Sequence, residues 1–364
     1  MKYLGNSIFL TLLSSLFLIA QANAQEEESP SKIELSGFID LYYGYDFNKP
    51  EQKRRLPFLY NHTYHNSPTV NIALIKASYE EDWFRASFGL QQGTYVENNL
   101  ERESEFAEWI NEAKIGIALT KNRNLWLDLG VIPSHLGAGS YISSLNPTLS
   151  RSLMTEGTPY FLTGGSLGWQ ASEKVFVAVY VTNGWQLIRG IPGNTLPSFG
   201  TQILWSPTEN TTINWSTFTG PTGPDDDRQM RYFSDLYATL NLGPKWYMLL
   251  AFDVGTQENS VAFGGSEGWY GAAWILQRKI SDKWSSSVRA EYFHDPFGII
   301  AINQNEDGLK SSGFSLNLDR SFGSGFLLRA EGRWLLSPEN QFIMEGSPVS
   351  DNFFLLTSLS WTWN

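Results

Sequence analysis

Strict alternation of apolar and polar positions runs through most of this chain. From Lys32 to Asp46 the odd positions hold Ile33, Leu35, Gly37, Ile39, Leu41, Tyr43 and Tyr45, while Glu34, Asp40 and Asp46 fall on even ones. Successive side chains of an extended strand point to opposite faces, so one face is apolar throughout and the other carries three carboxylates. The period returns in Trp83–Tyr95, Trp109–Thr120, Lys245–Thr256 and Gly325–Ser337. In the last of these, Phe326, Leu328, Ala330, Trp334 and Leu336 oppose Arg329, Glu331 and Arg333. The chain closes with Phe353, Leu355, Leu359, Trp361 and Trp363 on a single face.

The connections alternate in length. Seven are tight and polar, such as Glu80-Glu81-Asp82, Ser172-Glu173-Lys174 and Ser281-Asp282-Lys283. Between them lie eight longer segments, near 47–68, 95–108, 132–158, 187–197, 220–230, 256–266, 295–308 and 337–352. Fifteen connections predict sixteen strands in an antiparallel meander, trimmed at one end and elaborated at the other. Transmembrane β-barrels of the bacterial outer membrane have this form. An even count puts both termini on the short-turn, periplasmic side. The strands near 158–171, 197–206, 211–220 and 267–280 alternate weakly, so fourteen or eighteen stay open. A soluble β-sandwich or propeller is disfavoured. No fixed blade repeat is present, Arg, Glu and Asp occupy strand middles, and Trp and Tyr recur near strand ends as in an aromatic girdle.

Residues 1–24 change the picture. Lys2 precedes an apolar run from Ile8 to Ala20, followed by Ala22-Asn23-Ala24 and then Gln25-Glu26-Glu27-Glu28. This is the pattern of a cleaved secretory signal, leaving a short periplasmic segment at 25–31 and a barrel over 32–364. No Cys is present, which excludes a lipoprotein anchor, a disulfide framework and a Cys-based zinc site. A formal net charge of −11 argues against a nucleic-acid partner. Fifteen per cent aromatic residues and only 17% charged exclude a disordered chain. No cofactor is implied.

The stretches EAKIGIALT, LWLDLGVIPSHLGAGSYIS and NPTLSRSLMTEGTPYFLTGGSLGW, between Glu112 and Trp169, carry a signature that resembles the OmpL-like family of β-barrel porins of Gram-negative bacteria. LSGFIDLYYGYDFN and FRASFGLQQGTYV are similar to the same family, and the likeness extends diffusely over the rest of the mature chain. The resemblance implies an outer-membrane pore and names no solute. One position departs: Ala138 stands where members often carry an acid.

A barrel of sixteen to eighteen strands leaves an aqueous channel, here for passive diffusion of small hydrophilic solutes or ions. Loop 132–158 is the candidate constriction, with Ser134, His135, Arg151 and Glu156 as its polar residues. Reading the polar faces gives cationic pore-lining candidates Lys76, Arg85, Lys114, Arg289, Arg329 and Arg333. The anionic candidates are Asp40, Asp46, Glu80, Glu112, Asp128, Asp235, Asp253, Glu291, Asp319 and Glu331. Acids outnumber bases, which predicts a mild cation preference. Arg329, Glu331 and Arg333 form the densest stripe and are expected to make a cationic wall. The plainer reading of each charge is pairing across strands.

Two other classes stay in view: a non-conducting structural or adhesive barrel, and an outer-membrane hydrolase. The hydrolase is weakly supported. His294 falls on the lipid face, but the position two along is Pro296 rather than Ser. His62 and His65 are too few for a metal site. Partners expected are outer-membrane lipid, lipopolysaccharide bridged by loop acids such as Glu101, Glu103, Glu105 and Asp225–Asp227, and the barrel-insertion machinery reading the terminal Trp361 and Trp363. Barrels of this size commonly form homo-oligomers, although no stretch marks an interface.

Overall fold

A computed structural model describes residues 33–303 and 308–363. The leader expected over 1–24 and the segment 25–31 lie outside them. The first half of the wall comprises β1 (Ile33–Asp46), β2 (Thr69–Glu80), β3 (Phe84–Gln92), β4 (Ile110–Ala118), β5 (Leu125–Pro133), β6 (Phe161–Ser172), β7 (Val175–Thr182) and β8 (Ser198–Thr208). The second half comprises β9 (Thr211–Pro221), β10 (Met230–Asn241), β11 (Trp246–Glu258), β12 (Ser266–Lys279), β13 (Trp284–Asp295), β14 (Leu309–Gly323), β15 (Phe326–Leu336) and β18 (Asp351–Trp363). A small hairpin, β16 (Phe342–Met344) with β17 (Ser347–Val349), decorates the last long loop.

Each wall strand pairs antiparallel with its neighbours, and β18 closes onto β1 from Gly37 opposite Trp363 to Asp46 opposite Phe354. Closure leaves no edge. The strand backbones hydrogen-bond to one another, the condition for crossing hydrocarbon with strands. The four weakly alternating segments are barrel strands, so the count is sixteen. No described helix is long and apolar enough to cross a membrane.

The two faces differ as the alternation predicts. On β11, Leu250, Phe252 and Val254 point outward and are exposed, while Leu249, Ala251 and Asp253 point inward and are buried. Exposed Trp83, Trp169, Trp205, Trp246, Trp284 and Trp361 gather at the short-turn end. Arg278 lies 5.3 Å from the ring of Trp246, and Arg320 lies 5.3 Å from that of Trp284. Amphipathic aromatics and long cationic side chains suit an interface between lipid and water.

The long loops do not simply crown the barrel. Loop L1 (47–68) and loop L3 (134–160) fold inward. Leu56, Phe58 and Leu59 of L1 and Leu136, Leu149, Leu153 and Met154 of L3 join Phe218, Phe233, Trp269, Phe293 and Phe354 in one apolar cluster inside the cylinder.

Candidate functional site

L3 leaves β5 at Pro133 and returns at Phe161, its neck closed by the Ser134 N–H donating to the Tyr160 carbonyl at 3.2 Å. The imidazole of His135 stacks flat on Tyr180 of β7, centroids 3.8 Å apart. Its Nε2 lies 3.1 Å from the Thr217 carbonyl, a contact that places the proton on that nitrogen. Burial pushes this imidazole down to about 4, so it is neutral at physiological pH. The Gly137 N–H donates to Asp235 at 3.1 Å. Gly137 itself has φ +89°, and a Cβ there would lie 2.2 Å from Thr158 Oγ1. Only glycine fits this bend without strain.

A chain segment entering a barrel lumen brings backbone groups that must find partners. The wall of β13, β14 and β15 supplies them. Arg329 donates to the carbonyls of Ser143 at 2.5 Å, Asn146 at 3.1 Å and Thr148 at 3.3 Å. Arg289 donates to the Ser150 carbonyl at 2.8 Å and its hydroxyl at 3.0 Å. In return, the N–H groups of Leu149, Ser150 and Leu153 donate to Asn317, Glu331 and Glu291 at 3.0, 2.6 and 2.7 Å. The charges are also paired among themselves. Arg289 meets Glu331 at 2.7 Å, Arg333 meets Glu291 at 2.6 Å, and Arg329 holds Asp319 through two bonds at 2.8 and 3.0 Å. On the opposite side of the loop, Ser143 donates to Asp40 at 3.0 Å, a carboxylate also held by Ser358 and His62.

The cationic wall expected at Arg329, Glu331 and Arg333 therefore requires correction. These side chains point into the lumen, but Arg289, Arg329 and Arg333 are only 0–2% exposed. L3 covers them, and they serve as its latch. Asp40, Asp235, Asp253, Glu291 and Glu331 are likewise buried. Arg151 and Glu156 do not meet water either. Arg151 lies 4.0 Å over the ring of Tyr160 and donates to Thr158 at 3.0 Å, while Glu156 accepts from the Tyr60 N–H and the Tyr160 hydroxyl, each at 3.1 Å. Ser134 accepts from the Leu136 N–H at 3.1 Å. Ala138 packs beside the apolar cluster.

Between L3's short helix α1 (Leu153–Glu156) and β12 the fit is close. A Cβ on Gly271 would lie 2.6 Å from the Cβ of Met154.

The wall from β2 to β7 behaves differently. Arg85 and Lys114 line two adjoining cavities of about 430 and 440 Å³ toward the short-turn end, joined by Lys76 in the first and Arg123 in the second. The side chains of Lys76, Arg85 and Lys114 are 34, 29 and 23% exposed. Glu112 lies 3.4 Å from Lys76 and 3.0 Å from Lys114, and Arg85 takes Asp128 through bonds of 2.8 and 2.5 Å. Arg85 also lies 4.3 Å from the ring centroid of Trp126. Glu34 and Glu80 complete the first cavity and Tyr180 the second. This is the part of the charged lumen that water reaches.

Residues that pattern alone does not single out include Asn317, Ser287 and Tyr180. Each sits on the polar face of a strand, and only the loop's path gives it a role. His62 and His65 do not form a pair: His62 bonds Asp40 at 2.9 Å, and His65 accepts from the Asp46 N–H at 2.9 Å. No cluster of three metal-ligating side chains occurs among the described residues. His294 faces lipid, stacked on Tyr270 with centroids 5.0 Å apart, and its Nδ1 lies 3.3 Å from the Tyr292 hydroxyl rather than from a Ser or a carboxylate. Of the loop acids, Asp225 pairs with Arg228 at 2.5 Å, Asp227 accepts from Ser260 at 2.8 Å, and Glu103 lies 3.5 Å from Arg189.

Solved structures share the architecture. An anion-selective porin from Comamonas acidovorans superposes with a TM-score of 0.58 at 9% identity, covering 91% of this chain and 99% of that one. The outer-membrane channel DcaP of Acinetobacter baumannii gives 0.57 at 10% identity, covering 91% and 97%. OmpF of Salmonella typhi gives 0.56 at 11% identity with the same coverage. At these identities the likeness is one of fold. No curated protein matches the sequence. The family described as putative beta-barrel porin-2, OmpL-like, matches residues 32–362. With its closed sixteen-strand barrel and lipid-facing belt, the chain belongs to this OmpL-like porin family and is an outer-membrane porin of Gram-negative type.

Proposed function

We propose that this porin passes small hydrophilic solutes and ions by passive diffusion, and that L3 is its constriction. The observation that carries the reading is the asymmetry of the lumen. L3 is tied to β13–β15, and the water-reached charges stand on β2–β5 opposite, so solutes travel along that side. In the two water-reached cavities Glu34, Glu80, Glu112 and Asp128 stand against Lys76, Arg85, Lys114 and Arg123, an even balance. The mild cation preference therefore draws on the acid excess of the polar faces as a whole. Residues 1–24 are removed on export, and the terminal aromatic strand engages the insertion machinery. Assembly as a homo-oligomer is compatible with this reading. No enzymatic step is assigned: among the described residues no Ser or Thr hydroxyl is hydrogen-bonded to an imidazole nitrogen, and Ser143 and His62 each bond Asp40 instead.

The experiment is conductance of the purified protein in planar bilayers. Discrete steps, with a reversal potential in a salt gradient that favours cations slightly, are expected; clear anion selectivity would defeat the preference. A second reading, a barrel closed by its own loops, draws on the contact of L1 with L3, where the Tyr60 N–H donates to Glu156 and the Asn61 amide to the Tyr160 hydroxyl. A folded, inserted protein that never conducts would favour it.

A further inference from the structure

The two water-reached cavities are balanced in charge together and unbalanced apart. In the first, Glu34, Glu80 and Glu112 face Lys76, Arg85 and Lys114. In the second, Arg85, Lys114 and Arg123 face Asp128 alone. The acids that pair with Lys114 and Arg123, Glu112 at 3.0 Å and Asp82 at 2.5 Å, stand outside this second lining. Each cation is committed only in part. Arg85 spends Nε and Nη2 on Asp128, and its Nη1 makes no hydrogen bond among the described residues. An ammonium has three donors, and Lys114 turns one of them to Glu112. The Arg123 side chain is 54% exposed. A volume of about 440 Å³ lies toward the small end of the roughly 300–1,000 Å³ usual for ligand pockets.

The rest of the same lining is apolar. Ile132, Ala178 and Tyr180 belong to a small cluster on the lumen wall, apart from the one that L1 and L3 build, and Phe176 packs against it. The lumen face of such a barrel is ordinarily polar, and this patch departs from that rule. Phe176 lies close over Gly168, where a Cβ would stand 3.0 Å from its Cζ. His135 already covers one face of Tyr180, and Arg85 one face of Trp126. Among the described residues no aromatic ring or guanidinium stacks on Phe176, which is only half-buried. The neutral polar groups are largely spent. The Gln170 amide donates to the carbonyls of Ser172 and Val175 at 2.7 and 3.4 Å, and Asn124 accepts from the Thr120 hydroxyl at 2.8 Å. A hydroxyl-rich solute finds few partners here, whereas a flat apolar body with one anionic group finds both a surface and a charge. We propose that this cavity is a subsite for a small aromatic carboxylate, its ring against Phe176 and its carboxylate on Arg85 Nη1 and Lys114. The reading deepens the porin assignment by naming a solute class, and rests on it only for the passage that follows binding. Occupancy of the subsite is independent of ion preference along the channel, since the first saturates and the second is a ratio of mobilities.

The test is calorimetric titration of the detergent-solubilised protein at neutral pH with benzoate, acetate and benzyl alcohol, each against a detergent blank, alongside conductance of the same preparation. Benzoate is expected to bind saturably. Acetate, which lacks the ring, and benzyl alcohol, which lacks the charge, should each bind about tenfold more weakly, the worth of burying part of a ring in one case and of a charge-assisted hydrogen bond in the other. Lys114→Gln should weaken benzoate and acetate alike. Phe176→Ala should bring benzoate down toward acetate and leave acetate unchanged, a pattern that a merely loosened barrel would not give. Should the Phe176 variant fail to fold, the wild-type series and Lys114→Gln still decide. Benzoate no tighter than acetate or benzyl alcohol, or a folded variant of either kind whose benzoate titration matches wild type, overturns the proposal. Conductance without saturable benzoate binding removes the subsite and leaves the pore, whereas benzoate binding without conductance does the reverse.

Discussion

Two walls of one barrel use the same residue types to different ends. On β13–β15, Arg289, Arg329 and Arg333 with Glu291, Asp319 and Glu331 are almost wholly buried, and they satisfy the backbone of an inserted loop. On β2–β5, Lys76, Arg85 and Lys114 form similar pairs with the buried Glu112 and Asp128, and these three cations remain in contact with water. The strands do not differ in pattern. What differs is the loop that lies over them. A lumen-facing charge is therefore a channel group only where nothing covers it. Where a loop does, desolvation has to be offset by ion pairing and by hydrogen bonds to the loop, as Arg289, Arg333 and Glu331 make around Ser150.

The comparison can be broken most severely at the latch. Arg333→Met leaves Glu291 buried with one partner fewer, which should cost about 3–5 kcal/mol. The midpoint for thermal loss of the folded barrel's gel mobility should drop and channel noise should rise. The equivalent change on the wet wall, Arg85→Met, should cost about 1 kcal/mol or less. Equal costs would remove the distinction between the walls.

Acid probes the root of the same loop. An unfolded imidazole titrates near 6.5, and that of His135 at about 4 in the folded protein. Below pH 6.5 the unfolded chain takes up a proton that the folded chain refuses. The stabilisation is thus complete above 6.5 and lost as pH falls toward 4, by about 3 kcal/mol. Unfolding followed across this window should show that slope, and His135→Gln should flatten its share.

A steric probe comes next. Gly271→Val places atoms where Met154 sits and should cost about 1–3 kcal/mol, with L3 more accessible to protease. The smallest effect belongs to the water-reached charges. Lys114→Gln should leave stability nearly unchanged and shift the reversal potential toward cations by a few millivolts, on the order expected for one ring charge among several. A shift of the opposite sign would mean that this residue does not face the path.

Much of the fold was legible because a closed barrel in lipid imposes one rule on every strand. The Ile33–Tyr45 face and the Phe353–Trp363 face had to be apolar, and the short turns had to share one end. The weakly alternating β6 and β8 read poorly because Gly164, Gly165, Gly168 and Gly200 carry no side chain to mark a face. The length of loop 132–158 and its Pro133–Gly137 entry mark it as the inward loop, and L3 lies inside the cylinder. Its charges were harder to interpret. Period-two patterning assigns Arg329 to the lumen but says nothing of the carbonyls of Ser143 and Asn146 that cover it. Those contacts join residues more than 180 positions apart.

The central claim is that L3, clamped to one wall, sets the width of the water path. Single-channel conductance of the protein lacking residues 138–150 tests it most directly. The account predicts larger unit steps from a folded barrel; steps of unchanged size from a mutant with intact heat-modifiable mobility would contradict it.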